Sequence, residues 1–106
     1  MTDEPNHLRI DVSDDAERAV VRLDGELDVH TAAAVSEAIA ALGDGRAVVV
    51  DAAALRFCDS SGLQALVQGR DRLVRSGGSL TVEGVHGSVE RVLSVTGLLD
   101  LFTTGS

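Results

Sequence analysis

Three observations predict an α/β domain with a mixed β-sheet of four to five strands packed against helices, in the order β-β-α-β-α-β-α. The run Ala47-Val48-Val49-Val50-Asp51 is short, β-branched and apolar at successive positions, as a central strand requires. Leu63, Leu66, Val67, Leu73 and Val74 recur at helical spacing directly after it. Leu8, Ile10 and Val12 alternate with polar residues, which marks a strand with one solvated face. At 106 residues the chain is one domain, residues 1–106, large enough for one core.

Residues 1–7 are polar, hold the one proline, and read as a flexible leader. After the first strand, Ser13-Asp14-Asp15-Ala16 makes a turn into a second strand from near Arg18 to Asp24, giving an antiparallel hairpin. Gly25-Glu26-Leu27-Asp28 ends that strand and leads into a helix of roughly Thr31 to Leu42, with Val35, Ile39 and Leu42 on one face. Gly43 fits its C-terminal cap, and Asp44-Gly45 the turn that follows. Beyond the strand at Ala47–Asp51, Ala52-Ala53-Ala54-Leu55 reads equally as a loop or as a turn of helix. A second helix runs from about Ser61 to Arg75 and is stopped by Ser76-Gly77-Gly78-Ser79. Leu80 and Val82 alternate with Thr81 and Glu83 in a last strand. Gly87-Ser88 opens a third helix, with Ser88 as its cap, Val89, Val92 and Leu93 inward, and Gly97 as the stop. The tail from Leu98 to Phe102 is too apolar to stand in water and must pack back on the domain. Right-handed crossovers join the parallel strands.

Composition excludes several functions. Hydrophobic residues make up 44% of the chain but aromatic residues only 2%, so platforms for stacking bases are nearly absent. A net charge of −8 repels nucleic-acid backbones and favours basic partner surfaces. Every cationic side chain is arginine, which removes lysine Schiff-base and P-loop chemistry. Cys58 is the one cysteine; it allows neither an internal disulfide nor a thiolate cluster, and reads as a small buried filler. His7, His30 and His86 are too scattered to form a metal motif, and no cofactor is implied. No stretch reaches the roughly 20 apolar residues of a membrane helix, and the acidic N-terminus, with no apolar run, is expected to carry no signal peptide. A cytoplasmic protein without membrane insertion is expected. No exposed apolar stripe calls for a dimer, so a monomer is expected.

The chemistry concentrates in Phe57-Cys58-Asp59-Ser60-Ser61-Gly62-Leu63, a polar knot between strand and helix. A helix N-terminus presents open N–H groups and a positive dipole end, so a serine there can carry a phosphate without wrecking the fold. On spacing alone the plainer reading is the commoner one: Asp59, Ser60 and Ser61 as cap residues and Gly62 as relief for a crowded entry. Asp28 reads as N-cap of the first helix or as an interface residue, and Glu26 as a hydrogen-bonded loop carboxylate. Asp59, Ser60 and His30 form no Gly-x-Ser-x-Gly elbow, and no enzyme is expected. Nor is there a Gly-rich loop for nucleotide binding by the domain itself.

Leu23-Asp24-Gly25-Glu26-Leu27-Asp28, Val49-Val50-Asp51 and the Phe57–Leu63 stretch together resemble the anti-sigma factor antagonist family, which are stand-alone STAS domains. Gly77-Gly78-Ser79-Leu80 and Val95-Thr96-Gly97-Leu98 extend the resemblance over nearly the whole chain. It implies a partner-switching module. The unphosphorylated form would bind an anti-sigma factor that is also a serine kinase carrying its own ATP, and so free the sigma factor. Phosphorylation would release it, and a metal-dependent serine phosphatase of the PP2C type would reset it. Matched by position, the phosphoacceptor is Ser60, with Asp59, Ser61, Gly62 and Asp28 as switch and partner-binding residues. Cys58 departs from the larger apolar residue usual in the family. The alternative is a STAS subunit of a membrane transport complex of ABC type, bound constitutively to an ATPase.

Overall fold

β-branched and leucine-rich segments collect into a four-stranded sheet whose spatial order follows the sequence, in a computed structural model that describes residues 7–103. The strands are β1 (Leu8–Asp14), β2 (Ala19–Leu27), β3 (Ala47–Cys58) and β4 (Ser79–Glu83), with β1 antiparallel to β2 and the other pairs parallel. Helices α1 (Ala32–Ala40), α2 (Ser60–Arg75), α3 (Gly87–Val95) and α4 (Leu99–Thr103) alternate with or follow them. The expected mixed sheet and element order are present. The expected leader lies, apart from His7, outside the described residues.

One core cluster joins Val21 and Leu23 of β2, Val48 and Val50 of β3, Leu80 and Val82 of β4 and the inward residues of the helices. Strand alternation sends Arg9, Asp11, Arg22 and Asp24 to the other face, where all four are exposed. The apolar tail does pack back: α4 forms there and Phe102 is fully buried.

Strand lengths differ from the sequence reading. β2 runs on through Gly25, whose φ is +128° and whose missing Cβ would stand 2.1 Å from the His7 carbonyl oxygen. β3 absorbs Ala52–Leu55, neither loop nor helix, and reaches Cys58. Two register shifts against β2, at Arg22/Asp24 and Gly25/Glu26, each put an extra residue on β3. Its positions in the core cluster therefore step from Val48, Val50 and Ala52 to Leu55 and Cys58, and the two-residue rhythm of a strand is lost.

β4 pairs only with Ala47–Asp51, so the second half of β3 lacks a neighbouring strand on that side. Side chains take its carbonyls instead. His86 Nε2–H donates to Ala53 O at 2.9 Å, and Ser88 Oγ donates to Arg56 O at 3.1 Å. This corrects the reading of Ser88 as a helix cap. The cap position of α3 belongs to His86, and the Ser88 hydroxyl is spent on β3.

Candidate functional site

The polar knot becomes the junction of β3 and α2, one residue earlier than the expected start at Ser61. Asp59 is the N-cap: its backbone is extended, and Oδ1 accepts the Gly62 N–H at 3.0 Å while its carbonyl accepts Leu63 N–H at 2.9 Å. Ser60 is the first residue of the helix and is exposed; Ser61 and Asp59 are half-buried and Gly62 is buried. Among the described residues no partner engages the Ser60 hydroxyl. The Ser60 and Ser61 amides have no intrahelical acceptor at these positions, so the helix end keeps open donors beside that hydroxyl. Arg72 and Arg75 in the last turn suit the opposite, negative end of the dipole.

The loop after β2 is pinned to this junction. Asp59 N–H donates to Leu27 O at 3.1 Å. Gly62 lies so close to Leu27 that a Cβ there would stand 2.5 Å from Leu27 Cγ and 2.8 Å from its carbonyl oxygen. Gly62 is thus a packing residue, as its reading as relief for a crowded entry anticipated. Through Leu27, the Asp28 loop and the start of α2 are held as one surface.

Asp28 does not cap α1. Its carboxylate accepts His30 N–H at 2.8 Å in an Asx turn, and its carbonyl accepts the Thr31 and Ala32 amides at 3.1 and 2.8 Å. The cap position belongs to Thr31, whose hydroxyl accepts Asp28 N–H at 2.9 Å and donates to Glu26 O at 3.0 Å. The helix starts one residue later than expected because Thr31 closes this turn. Glu26 is half-buried at the end of β2.

Cys58 is 3% exposed, and its Sγ–H donates to Asp59 O at 3.5 Å. Burial, and then the neighbouring Asp59 charge, push its thiol up to about 11. It is a filler at neutral pH, not a nucleophile. Among the described residues, no three His, Cys, Asp or Glu side chains gather closely enough to hold a metal. A groove of about 470 Å³ between α1 and α2, walled by Ile39, Gly69, Arg72 and Arg75, runs along the C-terminal half of α2, away from Ser60.

At this junction two apolar side chains are exposed that the sequence reading gave no role: Val29 was not singled out, and Phe57 was quoted only as part of the Phe57–Leu63 stretch. Val29, beside Asp28, is 65% exposed, and Phe57, shortly before Asp59, is 44% exposed. Both are apolar side chains left in water next to a polar, negatively charged site. The available signal was that Val29 sits in a loop between Asp28 and His30, on no helical face.

Residues 7–106 match the STAS domain family. The chain is similar to the anti-sigma-B factor antagonist of Bacillus subtilis (strain 168), 28% identical over 102 residues that cover 90% of this chain and 88% of the relative. In structure it resembles an anti-sigma factor antagonist from Mycobacterium paratuberculosis, with a TM-score of 0.73, 28% identity and coverage of 95% and 87% of the two chains. It also resembles the anti-sigma factor antagonist SpoIIAA in its unphosphorylated form, with a TM-score of 0.71, 25% identity and coverage of 90% and 85%.

Proposed function

The chain belongs to the STAS domain family, and from that premise we propose that it is a cytoplasmic anti-sigma factor antagonist switched by phosphorylation of Ser60. The observation that carries the reading is Ser60 itself: an exposed first residue of a helix already capped by Asp59, its hydroxyl unengaged among the described residues. The module does no chemistry of its own. The unphosphorylated form binds an anti-sigma serine kinase and displaces the sigma factor; the kinase supplies ATP and transfers the phosphoryl group to Ser60 Oγ, and a PP2C-type phosphatase removes it. Neither nucleic acid nor membrane is contacted directly.

Phosphorylation adds about −1.5 to −2 charges and three acceptor oxygens. The open amides of the first turn of α2 stabilise that charge where it is placed, so the domain need not refold. The cost falls on the complex. A dianion beside Asp59 and Asp28, at a surface that also buries Phe57 and Val29 against the partner, must be desolvated on binding. A loss of about 3 kcal/mol lowers affinity more than a hundredfold, enough to exchange partners.

The test is intact-mass analysis after incubation with ATP and the host's anti-sigma kinases, wild type against Ser60→Ala. The expected result is one phosphate on the wild type and none on the variant, with only the unphosphorylated protein retained by the kinase. Undiminished phosphate on Ser60→Ala would move the acceptor elsewhere. No phosphate with any active kinase, together with constitutive co-purification with a transport ATPase, would overturn the switch in favour of a transport subunit.

A further inference from the structure

The sheet ends on one side at β1, and the outer edge of this strand is complementary to itself. Glu26 N–H donates to His7 O at 2.7 Å, which makes His7 and Glu26 a hydrogen-bonded pair and sets the phase of the antiparallel β1–β2 ladder. By alternation, Arg9, Asp11 and Ser13 direct their backbone groups to β2, while the N–H and C=O groups of Leu8, Ile10 and Val12 face outward from the edge. Such an edge is usually guarded by repelling charges, prolines or bulges. Here none of the seven residues of β1 is proline, and its register with β2 is unbroken.

We propose that two copies of this chain join β1 to β1, antiparallel, with Ile10 opposite Ile10 and Arg9 opposite Asp11 of the other copy. The charges select this register. On the exposed face Arg9 lies opposite Asp24 of β2, Asp11 lies opposite Arg22, and Arg56 of β3 lies 3.7 Å from Asp24. Across the proposed junction one row therefore reads Arg56, Asp24, Arg9, then Asp11 and Arg22 of the other copy, alternating in sign throughout; the symmetric row does the same. Within each copy Arg9 Nε already lies 3.5 Å from Asp11 Oδ2, so the junction closes a four-charge square. Sliding either way by one symmetric step sets Asp11 against Asp11 or Arg9 against Arg9, which repel.

The other face of the junction is apolar. Leu8 meets Val12 of the other copy and Ile10 meets Ile10; Val12 is 46% exposed in the single domain and Ile10 is half-buried. The outward backbone groups of residues 8, 10 and 12 supply about six inter-chain hydrogen bonds. A two-fold axis perpendicular to the sheet makes one continuous sheet with both helix layers on the same side. It also sends the two Ser60 sites, at the C-terminal end of β3 in each copy, to opposite ends of the assembly. Pairing is therefore independent of the switch and leaves both sites accessible. The expected monomer rested on the lack of an apolar stripe, but backbone pairing needs none.

An edge-to-edge contact is small, so a weak dimer is expected, with a dissociation constant on the order of 10–100 μM. Sedimentation of the full chain up to about 1 mM should show a concentration-dependent dimer. Arg9→Glu and Asp11→Arg should each weaken it at least tenfold, because each sets like charges opposite one another. An equimolar mixture of the two variants should recover association, since each then meets its opposite. Val12→Pro, which removes an outward N–H and no β1–β2 bond, should also weaken it. In the wild type, amide exchange at Ile10 and Val12 should slow as concentration rises. A wild-type chain that stays monomeric, variants that are not rescued on mixing, or edge amides indifferent to concentration would each overturn the proposal.

Discussion

Cys58 stands inside the motif that carries the site yet is chemically quiet, because the fold withholds water from it. Burial raises its thiol from 9.0 to about 11, with the Asp59 charge adding to the effect. At neutral pH it stays protonated, so iodoacetamide should label the folded chain at least tenfold more slowly than the unfolded chain; equal rates would refute the burial. The same shift has a consequence for stability. The folded state holds this proton to a higher pH than the unfolded state does, so the contribution is complete below pH 9.0 and falls as pH rises towards about 11. Denaturant melts at about pH 8 and about pH 10 should show a steeper alkaline loss for the wild type than for Cys58→Ala. At the other end of the domain, Asp15 shows the opposite sign: the amides of Arg18 and Glu17 hold its carboxyl below the usual carboxylate range, and that support is lost as pH falls.

Helix α2 is placed by two glycines of unequal strictness. At Gly62 an added methyl meets both the side chain and the backbone carbonyl of Leu27, and that carbonyl also accepts the Asp59 amide. Neither can yield without moving the cap, so Gly62→Ala should cost about 2 kcal/mol despite the better helix propensity of alanine. At Gly69 the methyl meets side chains alone, Ile39 at 3.2 and 3.4 Å and, in ordinary contact, Leu80 Cδ1 at 3.7 Å. There the propensity gain offsets the crowding, and Gly69→Ala should change stability far less. Thermal melts of the two variants compare identical chemistry on one helix, and equal losses would refute the distinction. At the same scale, α1, α2 and α3 were legible in the sequence from their 3.6-residue period, β1 and β4 from alternation, and the centre of β3 from its continuous apolar run, whereas the short α4 read only as an apolar tail that packs back. The run from Ala52 to Cys58 was not legible as strand, because each extra residue on β3 shifts the inward phase and erases the pattern that marks a strand.

For the whole molecule, the short C-terminal helix closes the core. Phe102 is among the largest fully buried side chains of the domain, which has few aromatic residues to replace it. Phe102→Ala should cost about 3–5 kcal/mol, a large part of the stability of a domain this size, and lower the denaturant midpoint accordingly. An unchanged midpoint would show that α4 is peripheral. Periodicity, turn residues and the Asp59-Ser60-Ser61-Gly62 cluster are local signals, and they sufficed for the order β-β-α-β-α-β-α, for the family and for naming a candidate site. The lengths of β2 and β3, the bond from Ser88 to a β3 carbonyl, the turn closed by Asp28 in place of a cap on α1, and the exposure of Val29 and Phe57 emerged only in three dimensions. Asp28 is decided within its own turn, by His30, Thr31 and Ala32, whereas the strand lengths and the role of Ser88 depend on partners distant in the chain, such as His7 for Gly25 and Arg56 for Ser88. Local patterning carries no record of which remote carbonyl or side chain will arrive there.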